Sequence, residues 1–143
     1  MKVAIGSDHA GFEGRQAARK ALEEYGCTIL DLGTPTKESV DYPDFAHEVA
    51  RAVETGQADL GVLVCSTGQG MAMAANRHAG IRAALITNDL TARMSRAHND
   101  ANIACFGEQV VGAAGIPALL KIFLDTRFEG DRHARRVRKI ETK

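Results

Sequence analysis

Short apolar runs alternate along the chain with longer stretches in which apolar residues recur at helical spacing. The runs predict strands at residues 3–5, 28–32, 60–64, 81–86 and 103–106. The longer stretches predict helices at residues 12–25, 44–54, 71–77, 91–98, 112–124 and 131–142. Regular alternation of strands and helices is typical of a parallel sheet with helices on both faces. We therefore expect one α/β domain over residues 1–143, a three-layer α/β/α sandwich with a five-stranded parallel sheet.

Individual residues refine these elements. Residues 60–64 are apolar throughout, which predicts a central strand covered on both faces. Asp44 is expected to cap the second helix, with Pro43 just outside it. Pro117 is expected to kink or divide the helix at 112–124, because proline lacks the amide proton that a helix interior needs.

Composition fits a globular domain and argues against several classes of protein. Of the 143 residues, 45% are apolar and 25% are charged, close to the average for globular chains. The formal net charge is zero, whereas a general nucleic-acid binder of this size is usually basic. No apolar run reaches the ~18 residues of a membrane span, and the N-terminus lacks the layout of a signal peptide. We expect neither a nucleic acid nor a membrane as a partner.

The cysteines indicate a reducing compartment. Cys27, Cys65 and Cys105 are odd in number, widely spaced and without a CxxC pair. A disulfide framework or a structural zinc site is therefore not expected, and the cytoplasm is the expected location.

Charge is distributed unevenly although the total is zero. Residues 126–143 hold seven basic and three acidic side chains, a net charge of +4, which leaves −4 on residues 1–125. A basic tail on an acidic body suits an anionic ligand or a partner subunit, and it also serves solubility alone. The charges by themselves do not choose among these roles.

Three polar segments are expected at the carboxyl edge of the sheet, where open α/β sheets bind ligands. They are residues 7–11, 65–70 and 98–102. Each segment also has a structural explanation, since Asp8 can cap a helix, His98 can complement a helix C-terminus and Cys65 can be an inert buried thiol. Convergence of all three segments on one edge favours a functional site.

The glycine-rich loop at residues 65–70 does not match the common phosphate-binding loops. It lacks the Gly-Lys-Ser/Thr ending of a Walker loop, and Met73 stands where the dinucleotide fingerprint needs a small residue. Met71 stands where a Cys-x5-Arg phosphatase needs arginine, and Cys65 ends the strand where a phospho-receiver domain has aspartate. These residues argue against nucleotide binding and phosphatase chemistry.

The same loop suits proton transfer beside a carbonyl group. Cys65 precedes a helix N-terminus, whose unpaired amides and dipole stabilise a thiolate. The amides of Gly68, Gln69 and Gly70 can bind the negative oxygen that develops during such a transfer. Histidines nearby can move hydroxyl protons at neutral pH. The His and Asp residues lack the clustered spacing of metal ligands, so we expect chemistry without a metal or another cofactor.

Together these motifs resemble those of the ribose-5-phosphate isomerase B family, which also includes allose- and galactose-6-phosphate isomerases. The matching segments run in family order over nearly the whole chain, at residues 6–11, 41–43, 65–70, 74–76, 80–83, 98–102 and 132–137. The resemblance implies a Rossmann-like fold and a homodimer or dimer of dimers, with active sites across the dimer interface and a C-terminal helix that reaches the partner subunit. It implies a metal-free aldose–ketose isomerase of the pentose phosphate pathway that interconverts D-ribose 5-phosphate and D-ribulose 5-phosphate through a cis-enediolate.

The resemblance also implies roles for individual residues. Cys65 matches the general base that moves a proton between C1 and C2, Thr67 matches the hydroxyl that shuttles the O1/O2 proton, and His98 matches the ring-opening residue. The implied substrate-binding residues are Asp8, His9, Tyr42, Ser66, Gly68, Gly70 and Asn99. The implied phosphate-binding residues are His9, Arg132 and Arg136, with the arginines supplied by the partner subunit, which gives the basic tail a role.

Two residues depart from the family pattern. Ser66 stands where many relatives have Gly, and Gln109 stands where many have Arg near the phosphate. Loss of that charge is expected to weaken phosphate binding by roughly 1–2 kcal/mol, the strength of a charged hydrogen bond. It leaves open a 6-phosphohexose such as allose or galactose 6-phosphate, or a free sugar. A non-catalytic sugar-phosphate-binding module on the same scaffold is a separate alternative. The run at residues 98–102, which the galactose branch usually lacks, favours the pentose.

Overall fold

The chain folds around a parallel sheet, seen in a computed structural model that describes residues 1–141. The strands are β1 (Lys2–Ser7), β2 (Thr28–Asp31), β3 (Leu60–Cys65), β4 (Ala83–Leu85) and β5 (Ile103–Gly107). They lie in the order β2-β1-β3-β5-β4, and every neighbouring pair is parallel. The predicted five-stranded parallel sheet is confirmed.

Helices cover both faces of the sheet. They are α1 (Phe12–Glu24), α2 (Tyr42–Glu54), α3 (Gln69–Ala75), α4 (Asp89–Ala97), α5 (Glu108–Val111), α6 (Ile116–Asp125) and α7 (Asp131–Val137), with 3-10 turns at His9–Gly11 and Ala113–Gly115. Helices α1, α4 and α6 pack on one face, whereas α2 and α3 pack on the other. This is the expected Rossmann-like α/β/α sandwich. Within residues 1–141, no helix combines the length and the apolar character that a membrane span requires.

Each face of the sheet has its own apolar core. On one face, Phe123 of α6 belongs to the same buried cluster as Val64 and Phe106 of the central strands. On the opposite face, Met71 of α3 belongs to the cluster that contains Leu63. Side chains alternate along a strand, so the consecutive residues Leu63 and Val64 serve opposite cores. The apolar β3 is therefore buried on both faces, as its sequence predicts.

Helix boundaries differ from the predictions at the two prolines. Pro43 lies in the first turn of α2, which begins at Tyr42, so Asp44 lies inside the helix and does not cap it. Pro117 lies in the first turn of α6 and neither kinks nor divides that helix. First-turn amides have no intrahelical acceptor, so proline costs nothing at these positions.

The last helix also differs from its prediction. It ends at Val137, whereas the predicted helix extends to residue 142, which lies outside the described residues. Gly130 and Asp131 both have positive φ, +72° and +45°, immediately before α7. This turn reverses the chain and sets α7 back against the end of α4.

Candidate active site

The strand order reverses its direction between β1 and β3. The chain passes from β1 to β2 on one side and from β3 towards β5 and β4 on the other. Such a reversal is where open α/β sheets bind their ligands. The turn after β1 packs tightly on β3, since a Cβ at Gly11 would lie only 2.3 Å from the carbonyl oxygen of Val64. Glycine at this position therefore brings the segments that follow β1 and β3 together.

Cys65 ends β3 with its sulfur bonded to the following loop. The Gly68 amide donates to Sγ at 3.1 Å, and Cys65 is 5% exposed in the single chain. Gly68 has a φ of +81°, and a Cβ there would lie 2.9 Å from the carbonyl carbon of Phe106. Only glycine accepts both the left-handed turn and the close packing that aim this amide at the sulfur. A backbone donor on sulfur stabilises the anionic thiolate.

Cys105, on the neighbouring strand, provides a comparison with an unreactive buried thiol. It lies in β5 beneath the loop and is fully buried. Burial, with a smaller contribution from Cys65, raises the pKa of Cys105, so this thiol stays neutral. Of these two neighbouring cysteines, Cys65 has the contact that suits a proton-transfer base.

Asp8 and His9, also predicted at this edge, follow β1, the strand that pairs with β3. Asp8 Oδ1 accepts from the amides of Ala10 and Gly11 at 3.0 Å each, so it does cap the turn after β1. His9 Nδ1 accepts from the Val40 amide at 3.2 Å, which in the neutral ring leaves the proton on Nε2. A proton on Nε2 makes His9 a donor for an anionic ligand.

Tyr42 closes one side of the loop. A Cβ at Gly70 would lie 2.5 Å from Cε2 of Tyr42, so the ring lies directly on the Gly70 backbone. Thr67 is exposed and packs by its backbone against Gly107 at the end of β5. We call the assembled group the thiol half-site; it consists of Asp8, His9, Tyr42, Cys65, Ser66, Thr67, Gly68 and Gly70.

His98 and Asn99 lie at the opposite edge of the sheet. Helix α4 follows β4 and runs back along the sheet, so its end lies beside the amino ends of the strands. The carbonyl of Asn102 accepts from the amide of Gly61, near the start of β3. At a rise of about 3.3 Å per residue, this level lies about 13 Å from Cys65. The expectation that residues 98–102 share an edge with residues 65–70 is therefore wrong within one chain.

The C-terminal segment joins His98 at the amino edge. The Glu129 amide donates to the carbonyl of Ala97 at 3.0 Å, and the His133 ring stacks on His98 with 4.1 Å between centroids. Arg132 and Arg136 are exposed on α7, four residues apart and hence on one helix face. We call the group formed here the histidine half-site; it consists of His98, Asn99, Arg132 and Arg136.

An ionic network holds the loop that carries Asn99. Asp100, with a φ of +46°, accepts from Arg82 at 3.2 Å and from Arg96 at 3.1 Å. Arg82 Nε also donates to the backbone carbonyl of Asp100 at 2.8 Å. Sequence reasoning assigned no role to these three residues. The available signal was an aspartate in the matching run, a residue type that tolerates left-handed turns.

Glu129 and His133 are two further residues that sequence reasoning missed. Glu129 Oε2 lies 3.3 Å from His133 Nε2 and 3.7 Å from His98 Nε2. Burial, followed by the charges of His98 and Arg132, lowers the pKa of His133. The fold therefore brings together potential metal ligands that the spacing of the His and Asp residues along the sequence does not indicate. Within residues 1–141, this is the one group of three such residues close enough to hold an ion.

Gln109, one of the two departures from the family pattern, lies beside the thiol half-site. Its amide donates to the carbonyl of Ser66 at 3.0 Å, and its side chain is exposed. A cation is therefore missing at the position where the resemblance implies phosphate binding.

Comparisons with known proteins give matches over nearly the whole chain. The model of the Ribose/Galactose Isomerase family matches residues 3–140. The chain is 42% identical over 139 residues to ribose-5-phosphate isomerase B of Escherichia coli, covering 97% of this chain and 93% of that protein.

Solved structures show the same fold. Ribose-5-phosphate isomerase B of Clostridium thermocellum superposes with a TM-score of 0.96 at 48% identity, covering 98% of this chain and 95% of that chain. The ribose 5-phosphate isomerase of Thermotoga maritima superposes with a TM-score of 0.93 at 46% identity, covering 97% of this chain and 96% of that chain.

Proposed function

The chain belongs to the ribose/galactose isomerase family, and within that family we propose that it interconverts D-ribose 5-phosphate and D-ribulose 5-phosphate. It is an aldose–ketose isomerase, an intramolecular oxidoreductase, as the sequence resemblance implies. The observation that carries the proposed chemistry is the hydrogen bond from the Gly68 amide to Cys65 Sγ, which favours a thiolate at the carboxyl end of β3. The cytoplasmic location and the absence of a nucleic-acid partner stay predictions.

The proposed reaction moves one proton between carbons and another between oxygens. In the open-chain aldose, the Cys65 thiolate removes the proton from C2, and the electron pair shifts onto O1 to form an enediolate. Backbone amides at the start of α3 stabilise this negative oxygen, since the first amides of a helix have no intrahelical acceptor. Thr67 passes the O2 proton to O1, and Cys65 then returns its proton to C1, which leaves the ketose carbonyl at C2. No step requires a metal ion.

Ring opening must precede this transfer, and we assign it to His98. A histidine side chain can donate a proton to the ring oxygen and accept one from the O1 hydroxyl at neutral pH. In one chain, however, His98 lies at the amino edge of the sheet and Cys65 at the carboxyl edge. A single chain therefore does not complete the site.

A second copy of the chain would bring His98 and Cys65 together. We propose that the histidine half-site of one copy faces the thiol half-site of its partner, so that α7 reaches across the interface. Tyr42 and Met73 beside the thiol half-site are 41% and 68% exposed, and a second copy would cover this apolar surface. His98 and Asn99 then cross the interface together with Arg132 and Arg136, whereas the sequence resemblance implied this only for the arginines.

The same arrangement supplies the charge that phosphate binding needs. Arg132 and Arg136 of one copy would meet His9 of the other, and paired guanidinium groups bind phosphate oxygens in a bidentate manner. The tail that contains them carries +4, whereas residues 1–125 carry −4. This complementarity favours contact between the tail of one copy and the body of another.

A substrate panel measured by proton exchange tests the proposed function. The protein is incubated in heavy water with ribose 5-phosphate, allose 6-phosphate, galactose 6-phosphate and free ribose, and deuterium at C2 of the aldose is followed by NMR. The expected result is the largest kcat/KM for ribose 5-phosphate. A preference for a 6-phosphohexose, an alternative that Gln109 leaves open, would overturn the pentose assignment. Binding without any exchange would indicate a non-catalytic sugar-phosphate-binding module.

A further inference from the structure

Three potential metal ligands converge at the amino edge of the sheet. His98 directly follows α4, Glu129 precedes α7, and His133 lies within α7. We propose that these three side chains form a binding site for a divalent transition-metal ion such as Zn²⁺, and that an ion bound there inhibits the enzyme by occupying His98. Two imidazole nitrogens and one carboxylate oxygen are a donor set that zinc takes in proteins, with the fourth position open to water.

The distances between the ligand atoms suit such an ion. Bonds of about 2.0–2.1 Å in tetrahedral geometry require donor atoms roughly 3.3 Å apart. His133 Nε2 and Glu129 Oε2 are already 3.3 Å apart, and His98 Nε2 lies 3.7 Å from the same oxygen. All three ligand atoms lie within 4.8 Å of one another. The His98 ring, which stacks on His133 with an interplanar angle of 10° and is 38% exposed, has to turn out of this stack for its nitrogen to join the other two donors.

His133 supplies an independent reason to expect a ligand here. It is 5% exposed, and its Nε2 is a buried polar atom with no hydrogen-bond partner among residues 1–141. A buried nitrogen without a hydrogen-bond partner destabilises the folded chain, because it has lost its contact with water and gained nothing in exchange. The nitrogen faces the Glu129 carboxylate, so an ion between them would satisfy both groups.

The backbone holds two of the ligands in place before any ion binds. Glu129 is fixed by its amide bond to Ala97, and His133 by its amide bond to Gly130. The positive φ values of Gly130 and Asp131 set the turn that places both residues over His98. Because the ligands are already ordered, ion binding does not have to order this part of the chain.

The surrounding charges predict which ions bind. Arg132 and Arg136 lie on the same helix as His133, one and three residues away, and their positive charges repel any cation. Only one carboxylate opposes them at the cluster. Hard ions such as Mg²⁺ and Ca²⁺ depend on several oxygen ligands and would not bind, whereas Zn²⁺, Co²⁺ and Ni²⁺ bond to imidazole nitrogen.

Calorimetric titration of chelator-treated full-length protein with ZnCl₂ tests the binding site. We expect saturable binding of one ion per chain, no binding of Mg²⁺, and a loss of affinity by roughly tenfold or more in both Glu129→Gln and His133→Asn. Glu129 is half exposed, so its variant is expected to fold even if the buried His133 does not tolerate change. Absence of zinc binding, or equal affinity in Glu129→Gln and the unchanged protein, would overturn the site.

His78→Gln is the matched control. His78 belongs to a separate network, in which its Nε2 lies 2.9 Å from His47 and its Nδ1 lies 3.0 Å from Glu54. The zinc affinity of the His78→Gln variant should equal that of the unchanged protein. Co²⁺ in place of zinc should give the absorption of a nitrogen- and oxygen-ligated ion, and a thiolate charge-transfer band would move the ion to a cysteine and overturn the assignment.

An activity arm tests the inhibition, which rests on the proposed function. Half-inhibition of isomerisation should occur at the zinc concentration that half-saturates binding, and at a higher concentration in Glu129→Gln. Binding without inhibition would overturn the blocking of His98. A protein that binds zinc but never isomerises a sugar phosphate would overturn the proposed function and leave the metal site standing.

Discussion

Substitution of Gly68 by alanine tests the loop geometry that supports Cys65. Gly68 has a φ of +81°, and a Cβ there would lie 2.6 Å from Leu85 Cδ1, 2.9 Å from the carbonyl carbon of Phe106 and 3.0 Å from the Gly107 amide nitrogen. The leucine methyl can move, but the two backbone atoms belong to β5 at the centre of the sheet. The loop must therefore move away from β5 and carry its amide off the Cys65 sulfur.

Gly80 separates the two costs of this change. It also has a positive φ, +72°, but nothing lies within 4 Å of a Cβ at that position. A left-handed alanine costs about 1–2 kcal/mol, so Gly80→Ala should lose this much free energy of unfolding. Gly68→Ala adds overpacking of about 1–3 kcal/mol. The difference between the two variants measures the close approach alone.

Urea unfolding followed by circular dichroism, at one fixed protein concentration, provides the measurement. Gly68→Ala should be less stable than Gly80→Ala by about 1–3 kcal/mol, equivalent to a further drop in Tm of roughly 3 °C per kcal/mol. Its kcat should fall as well, whereas Gly80→Ala should keep the kcat of the unchanged protein. Equal stability losses in the two variants would refute the close packing, and an unchanged kcat in Gly68→Ala would refute the support of Cys65 by this amide.

Three further predictions concern the base, the phosphate and pH. Cys65→Ala should abolish C2 proton exchange without unfolding the protein. Exhaustive chelation should leave the exchange catalysed by the unchanged protein intact. Exchange that is lost on chelation and restored by metal would contradict the metal-free mechanism. Arg136→Ala should raise KM for the phosphorylated substrate more than it lowers kcat, and an unchanged KM would remove Arg136 from the phosphate site. Burial lowers the pKa of His133 below 6.5 in the folded chain, so the unfolded chain binds more protons at this site. The contribution of His133 to the free energy of unfolding should therefore stay constant above pH 6.5 and decrease as the pH falls below it. His133→Asn should flatten this fall in urea titrations at pH 7.5 and 5.5, and an identical fall would assign it to other groups.

The fold could be predicted because its signals are local. A short apolar run predicts each strand, and β3, which is apolar throughout, is predicted to be a central strand covered on both faces. The strand order could not be predicted in the same way, since nothing local to β5 shows that it lies between β3 and β4. The prolines misled the helix boundaries because Pro43 and Pro117 begin helices, a position that a pattern of apolar residues does not distinguish from a break.

The thiol half-site was predictable and the histidine half-site was not fully so. Residues 65–70 are one loop after a recognisable strand, so their position follows from the strand itself. Residues 98–102 follow a helix, and a helix between parallel strands returns the chain to the amino edge of the sheet. Polar character alone does not distinguish a segment that follows a helix from one that follows a strand. The contact of His133 with His98 depends on the positive φ of Asp131, and the pattern of residues in this segment does not predict that conformation.

Mixing two inactive variants is the most direct test of a site shared between copies. Cys65→Ala and His98→Asn are each unfolded and refolded alone or together, mixed dimers are counted by native mass spectrometry, and isomerisation of ribose 5-phosphate is assayed. Each variant alone should be inactive, and the mixture should recover roughly a quarter of full activity, because half of the dimers are mixed and each of these has one intact site. A mixture that contains mixed dimers and yet stays inactive would contradict the shared site.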